Sequence, residues 1–113
     1  MIAKKFRIPR LNIAYLLEKG DEKRSKLFII RYKKNNKKFC RYRVIISKKL
    51  ADKAVLRNHL RRQIYETIRL NLIDQPTTIK ENLDLIFIPK KIILKIAFKE
   101  IENDLKWKNL IKY

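Results

Sequence analysis

Arg57, Asn58, Arg61, Arg62, Tyr65 and Arg69 crowd into one short stretch, and their spacing gives them a shared chemistry. On a helix begun near Lys53, Arg57, Arg61, Tyr65 and Arg69 form one i,i+4 ridge, and Leu56, Leu60, Ile64 and Ile68 form the next. One ridge has a core to bury against; its neighbour is charged. A guanidinium is a planar fork of donors that matches phosphate oxygens, and an amide and a phenol add further contacts. Lys48, Lys49 and Lys53 stand just before the helix and extend the basic surface. An ordinary solvated helix face is the competing reading. Against it, only Glu66 offers an i,i+4 acidic partner within the helix, and like charges at that spacing disfavour an isolated helix.

Hydrolysis by the chain itself finds no support. A nuclease site needs a general base, a carboxylate cluster for metal ions or a nucleophile beside the phosphate-binding surface. The acids are scattered, with Glu18, Asp21 and Glu22 in one group and Glu100, Glu102 and Asp104 in another, while the single histidine, His59, has no sequence-evident partner. One cysteine, Cys40, can form no internal disulfide, and no soft-ligand metal set can be assembled. A binding subunit with no catalytic residues and no metal of its own is what these residues describe.

Composition agrees. Thirty Lys and Arg against eleven Asp and Glu give a formal charge of +19 on 113 residues, so a polyanionic partner is the economical explanation. The 46% hydrophobic content supports one domain spanning 1–113, with 1–10 a basic arm. Basic residues spread through every segment argue against a membrane surface as the partner. No apolar stretch is long enough to span a bilayer and no secretory signal opens the chain, so a cytoplasmic location is expected.

The elements that must position the basic helix are readable in outline. Leu11 to Lys19 reads as a short helix after Pro9 and before Gly20, which reads as its C-cap. Asp21 to Lys26 reads as a polar loop, and Leu27–Lys33 with Phe39–Ser47 as a hairpin across Lys34-Asn35-Asn36-Lys37. Val44, Ile45 and Ile46 lead toward the basic helix, with Asp52 as its expected N-cap. Leu83 to Ile88 reads as a third strand and Ile93 to Ile111 as a packing helix. The architecture is therefore α+β, helix-strand-strand-helix-strand-helix, with helices on a small mixed sheet.

Alternation gives the hairpin two unlike faces. Phe28, Ile30, Tyr32, Cys40, Tyr42, Val44 and Ile46 should face the helices as core. Ile29, Arg31, Arg41, Arg43, Ile45 and Ser47 form a mixed apolar and cationic face. Such a face suits an extended single strand of nucleic acid. It suits a solvent-facing sheet equally well, because no aromatic ring stands on it to stack a base.

Ser47-Lys48-Lys49, Lys53-Ala54-Val55, Arg57-Asn58, Arg61-Arg62 and Glu66 follow, in order and spacing, a known signature. In it the chain resembles the bacterial ribonuclease P protein subunit, strongly from Val44 to Arg69 and at the level of pattern elsewhere. His59 departs from the Arg-Asn-Arg triplet usual in that family, and the glycine that many members carry between strand and helix is absent. The resemblance implies a ribosomal protein S5 domain 2-like fold with a left-handed βαβ crossover. It also implies an accessory role in a ribonucleoprotein endoribonuclease whose RNA subunit performs the hydrolysis with bound magnesium ions.

On that resemblance, Lys48, Lys49, Lys53, Arg57, Asn58, His59, Arg61, Arg62, Tyr65 and Arg69 would contact the catalytic RNA. The sheet face and first helix would border a cleft for the 5′ leader of precursor tRNA. Ile13 and Leu17 fall where the family often places phenylalanines, so aliphatic contact would replace stacking. Ribonuclease P RNA and precursor tRNA are the implied partners, with no obligate protein partner. A ribosomal or ribosome-assembly protein accounts for the same charge and size but not for the ordered signature. A helix-turn-helix DNA regulator fits a strand-flanked helix poorly.

Overall fold

The structure, a computed structural model, describes residues 2–74, 82–96 and 98–105. Its elements are α1 (Arg10–Lys19), β1 (Asp21–Arg24), β2 (Phe28–Lys34), β3 (Arg41–Val44), α2 (Ala54–Ile68), β4 (Leu83–Pro89) and α3 (Phe98–Asp104). The four strands form one mixed sheet in the order β1-β2-β4-β3. β4 pairs antiparallel with β2 and parallel with β3.

That order corrects the expected hairpin. β2 and β3 are consecutive in sequence but do not pair; β4 lies between them, and the true hairpin joins β1 to β2. Leu83-Asp84-Leu85-Ile86-Phe87-Ile88-Pro89 is a nearly unbroken apolar run, the composition of a strand covered on both faces, and central burial outweighs a local pairing. β1, Asp-Glu-Lys-Arg, was expected as loop because it lacks any apolar alternation. It is an edge strand, and charge on an edge blocks further pairing.

The expected core face of β2 and β3 is the core face. Phe28, Ile30, Tyr42, Val44 and Ile46 pack with Leu60, Ile64 and Ile68 of α2 and with Ile101 and Leu105 at the α3 end. The Phe28 and Phe87 rings meet edge to face, 5.8 Å apart. Cys40 packs beside this core, and burial pushes its thiol pKa upward. The opposite face is also covered, which the alternation did not indicate: Leu16 of α1 and Ile8 of the arm close over Ile86, with Ile13, Ile45 and Ile88 around them.

Two boundaries differ from expectation, and one cap has another cause. Asp52 does not cap α2; Lys53 holds the N-cap position with extended backbone and no side-chain cap. The expected helix from Ile93 to Ile111 is instead a 3₁₀ turn at Lys91–Lys95 followed by α3, while Trp107 and Leu110 lie outside the described residues. Gly20 does follow α1 as its C-cap, but with φ of −71° the left-handed conformation is not the reason for a glycine. The reason is close approach, since a Cβ there would stand 2.5 Å from the Leu16 carbonyl oxygen and 3.1 Å from that of Tyr32.

One buried ion pair ties β3 to β4. Arg41 donates through Nε and Nη2 to the two carboxylate oxygens of Asp84 at 2.9 and 2.7 Å, and Asn35 donates to the same carboxylate at 2.8 Å. The hydrogen-bonded carboxylate holds the Arg41 pKa above its usual value. Asp84→Ala would strand the guanidinium, and urea denaturation should show a loss of about 3 kcal/mol or more. Arg41→Met/Asp84→Leu together should cost less than the single change; a single-mutant loss below about 1 kcal/mol would show the pair to be dispensable.

Candidate nucleic-acid interface

The basic helix begins from a loop that its own arginine fixes. Ser47 accepts the Leu50 N–H through both its carbonyl oxygen and its hydroxyl, each at 3.2 Å, closing the turn that presents Lys48 and Lys49. Arg57 then donates through Nη1 to the carbonyl oxygens of Ala51 and Asp52 at 2.9 and 2.8 Å. This substitutes for a side-chain cap and sets the approach into α2. Arg57 is thus partly spent on the fold, whereas Lys48, Lys49, Lys53, Asn58, His59 and Arg62 are exposed.

The expected ridge of Arg57, Arg61, Tyr65 and Arg69 is not uniform. Tyr65 belongs to the core: it is 2% exposed, and its hydroxyl accepts the Val44 N–H at 3.0 Å, joining α2 to β3. Its position one residue beyond Ile64 places it at the margin of an apolar stripe wider than a single ridge. Arg69 stands among acids, with Glu66 at 2.5 Å and Asp74 at 2.9 Å. The Arg69 hydrogen bond holds the Glu66 carboxyl below its ordinary pKa, and Glu66 raises that of Arg69. A carboxyl lowered in this way favours the fold above the ordinary carboxylate range, and that contribution is lost as pH falls through the lowered value.

The mixed sheet face divides likewise. Arg41 is buried with Asp84, and Arg31 donates to the Leu17 carbonyl oxygen at 2.8 Å and pairs with Glu22 at 3.4 Å. Arg43 is different. With Arg7, Arg61, Ile13 and Ile45 it lines a cleft of about 470 Å³ between the arm, α1, β3 and α2. Arg61 is oriented by Asn58, whose side-chain oxygen accepts its Nη1 at 2.8 Å. Ile29 is half-buried and Leu17 is 38% exposed, so the apolar parts of the face border open space.

Arg7 was not among the expected site residues. The arm joins the sheet there: Arg7 bridges Tyr42, and the Ile8 N–H donates to the Tyr42 carbonyl oxygen at 3.1 Å. The alternation Phe6-Arg7-Ile8 before Pro9 was the available signal for an extended edge segment. The Nε atoms of Arg7 and Arg31 are buried with no hydrogen-bond partner. Buried donors of this kind carry a desolvation cost that an anionic oxygen would relieve.

Guanidinium groups around an aliphatic floor can hold phosphates and exclude water from the sugars and bases between them. Replacing Lys48, Lys49 and Lys53 together by alanine should weaken RNA binding regardless of sequence, and should flatten the log K against log salt slope by about 2 to 3. Tyr65→Phe should leave that slope unchanged and cost about 1 kcal/mol of stability in denaturant titration. A slope change in the Tyr65 variant, or none in the lysine variant, would contradict this division.

Among the described residues, no helix is long and apolar enough to cross a membrane. The family model for ribonuclease P matches residues 9–112. The ribonuclease P protein component of Clostridioides difficile is 35% identical over 88 residues, covering 78% of this chain and 72% of that protein. Its counterpart in Clostridium kluyveri is 34% identical over 95 residues, covering 84% and 80%. A Staphylococcus aureus RNase P protein mutant superposes with a TM-score of 0.74 at 25% identity, over 90% of this chain and 83% of that one. The RNase P protein from Thermotoga maritima shares the fold, with a TM-score of 0.74 at 23% identity over 94% of each chain. On these matches, the chain belongs to the ribonuclease P protein family.

Proposed function

We propose that this chain docks on ribonuclease P RNA through Lys48, Lys49, Lys53, Asn58, His59 and Arg62, and holds the 5′ leader of precursor tRNA in the cleft of Arg7, Arg43 and Arg61. The observation that carries the reading is that cleft, with its guanidinium groups set around Ile13 and Ile45. Phosphate neutralisation releases counterions and gives affinity without reading sequence. The aliphatic floor takes the sugar and base surface that phenylalanines take in many relatives, so leader recognition here is apolar contact in place of stacking. Tyr65 and Arg41 act behind the interface by holding β3, and Arg69 keeps the end of α2 in place with Glu66 and Asp74.

Hydrolysis falls to the RNA with its magnesium ions, in the cytoplasm where tRNA precursors are made. Among the described residues no three carboxylate, histidine or cysteine side chains come together to hold a metal. Phosphate oxygens of the RNA are hard donors of the kind a magnesium ion takes. The protein's part is to lower backbone repulsion where those ions gather and to retain the substrate by its leader. Mature tRNA, lacking a leader, is released.

Reconstitution tests this. Added to ribonuclease P RNA from its own source at low magnesium, the protein should restore leader removal. Arg43→Ala/Arg61→Ala should weaken precursor binding about tenfold or more and leave mature tRNA binding unchanged. Equal losses for precursor and mature tRNA would move the leader out of the cleft. No gain in cleavage by the wild type would favour binding to ribosomal RNA.

A further inference from the structure

A second groove of about 390 Å³ lies on the opposite flank of α1, lined by Asn12 and Tyr15 of the helix, Lys33 and Lys34 at the end of β2, and Asn36 of the following loop. It shares no lining residue with the leader cleft. Tyr15 is 54% exposed, and the Lys33 ammonium sits 5.4 Å from its ring centroid. Lys33 and Lys34 line the opposite wall, and Lys37 and Lys38 follow Asn35 and Asn36 in the same basic stretch of sequence.

That wall is pinned. Asn35 donates from its side chain to Asp84 at 2.8 Å and to the Phe39 carbonyl oxygen at 3.3 Å, and its side-chain oxygen accepts the Lys37 N–H at 2.9 Å. Asn82 closes the loop from β4, donating to the Lys37 carbonyl oxygen at 3.0 Å. Asp84, the acid in the floor, has both oxygens engaged by Arg41. Glu18, one turn beyond Tyr15, lies 3.9 Å from Lys19. The groove therefore offers a flat ring, amides and the Lys33 cation.

We propose that this groove is a second single-stranded RNA contact, seating one unpaired nucleotide with its base on Tyr15 and its phosphate at Lys33. A base on the half-exposed ring replaces a solvent-exposed cation–π contact, and the displaced ammonium finds a phosphate within its own reach. Asn12 and Asn36 carry donors and acceptors at the rim, so several bases are accommodated. The site is independent of the leader cleft, because α1 separates the two.

The test uses the full chain and a short oligoadenylate carrying one 4-thiouridine, at salt high enough to suppress general phosphate binding. Tyr15→Ala should weaken binding by roughly 5- to 100-fold, with Tyr15→Trp restoring it. Lys33→Ala should lower the salt slope by about 0.7. Irradiation should cross-link the thiouridine to Tyr15, and should still do so in Arg43→Ala/Arg61→Ala, even if reconstituted cleavage fails. Unchanged thermal midpoints in the Tyr15 variants confirm that folding is not the cause. Wild-type affinity in Tyr15→Ala, cross-links confined to the leader cleft, or adenosine monophosphate binding as tightly as the oligonucleotide would each overturn the proposal. In the holoenzyme, a cross-link at Tyr15 from labelled catalytic RNA or from labelled precursor identifies the source of the strand, and a cross-link from neither contradicts it.

Discussion

The insertion of β4 between β2 and β3 is the constraint on which the rest of the structure depends. A strand that is apolar on both faces must be covered on both, and it can be reached in parallel from β3 only through a crossover connection. α2 is in that connection. Its Leu60, Ile64 and Ile68 ridge is drawn onto the sheet, and its basic side is left along the β3 edge. α1 and the arm close the other face around Ile86, so a cleft forms where the arm, α1, β3 and α2 converge.

Charge is sorted by the same framework. Several of the chain's few acids are used internally: Asp84 holds Arg41, Glu66 and Asp74 hold Arg69, and Glu22 holds Arg24 and Arg31. Asp104 of α3 accepts hydrogen bonds from the Ser25 hydroxyl and the Leu27 N–H, fixing the β1–β2 turn. Lys48, Lys49, Lys53 and Arg62 pair with no acid among the described residues, and they stand on α2 and the loop before it, the helix that also carries the cleft residue Arg61. A protein of net charge +19 thus neutralises selected cations within and leaves others exposed, which are the ones proposed to meet RNA phosphates.

The sequence was most informative where interactions are local. The four-residue spacing of Leu60, Ile64 and Ile68, the alternation in β2 and the apolar run of β4 each state which surface must be buried. It was silent where partners are distant. The Arg41–Asp84 pair spans 43 residues, so nothing near Arg41 distinguishes a structural guanidinium from an RNA contact. The β2–β3 hairpin was the natural inference from adjacency, and only the insertion of a later strand excludes it. Tyr65 shows a different limit, because at the edge of an apolar stripe small shifts in helix orientation decide between solvent and core. β1 carries no hydrophobic signal, since an edge strand of charged residues is held by its backbone hydrogen bonds to β2.

The proposed docking is directional: it puts RNA against the α2 and cleft side and away from α3. Lysine acetylation of the chain, read by mass spectrometry with and without bound ribonuclease P RNA, tests it directly. The account predicts protection of Lys48, Lys49 and Lys53, with Lys91, Lys95 and Lys99, all exposed in the free chain, modified at unchanged rates. Protection of the latter group, or uniform protection of both, would contradict it.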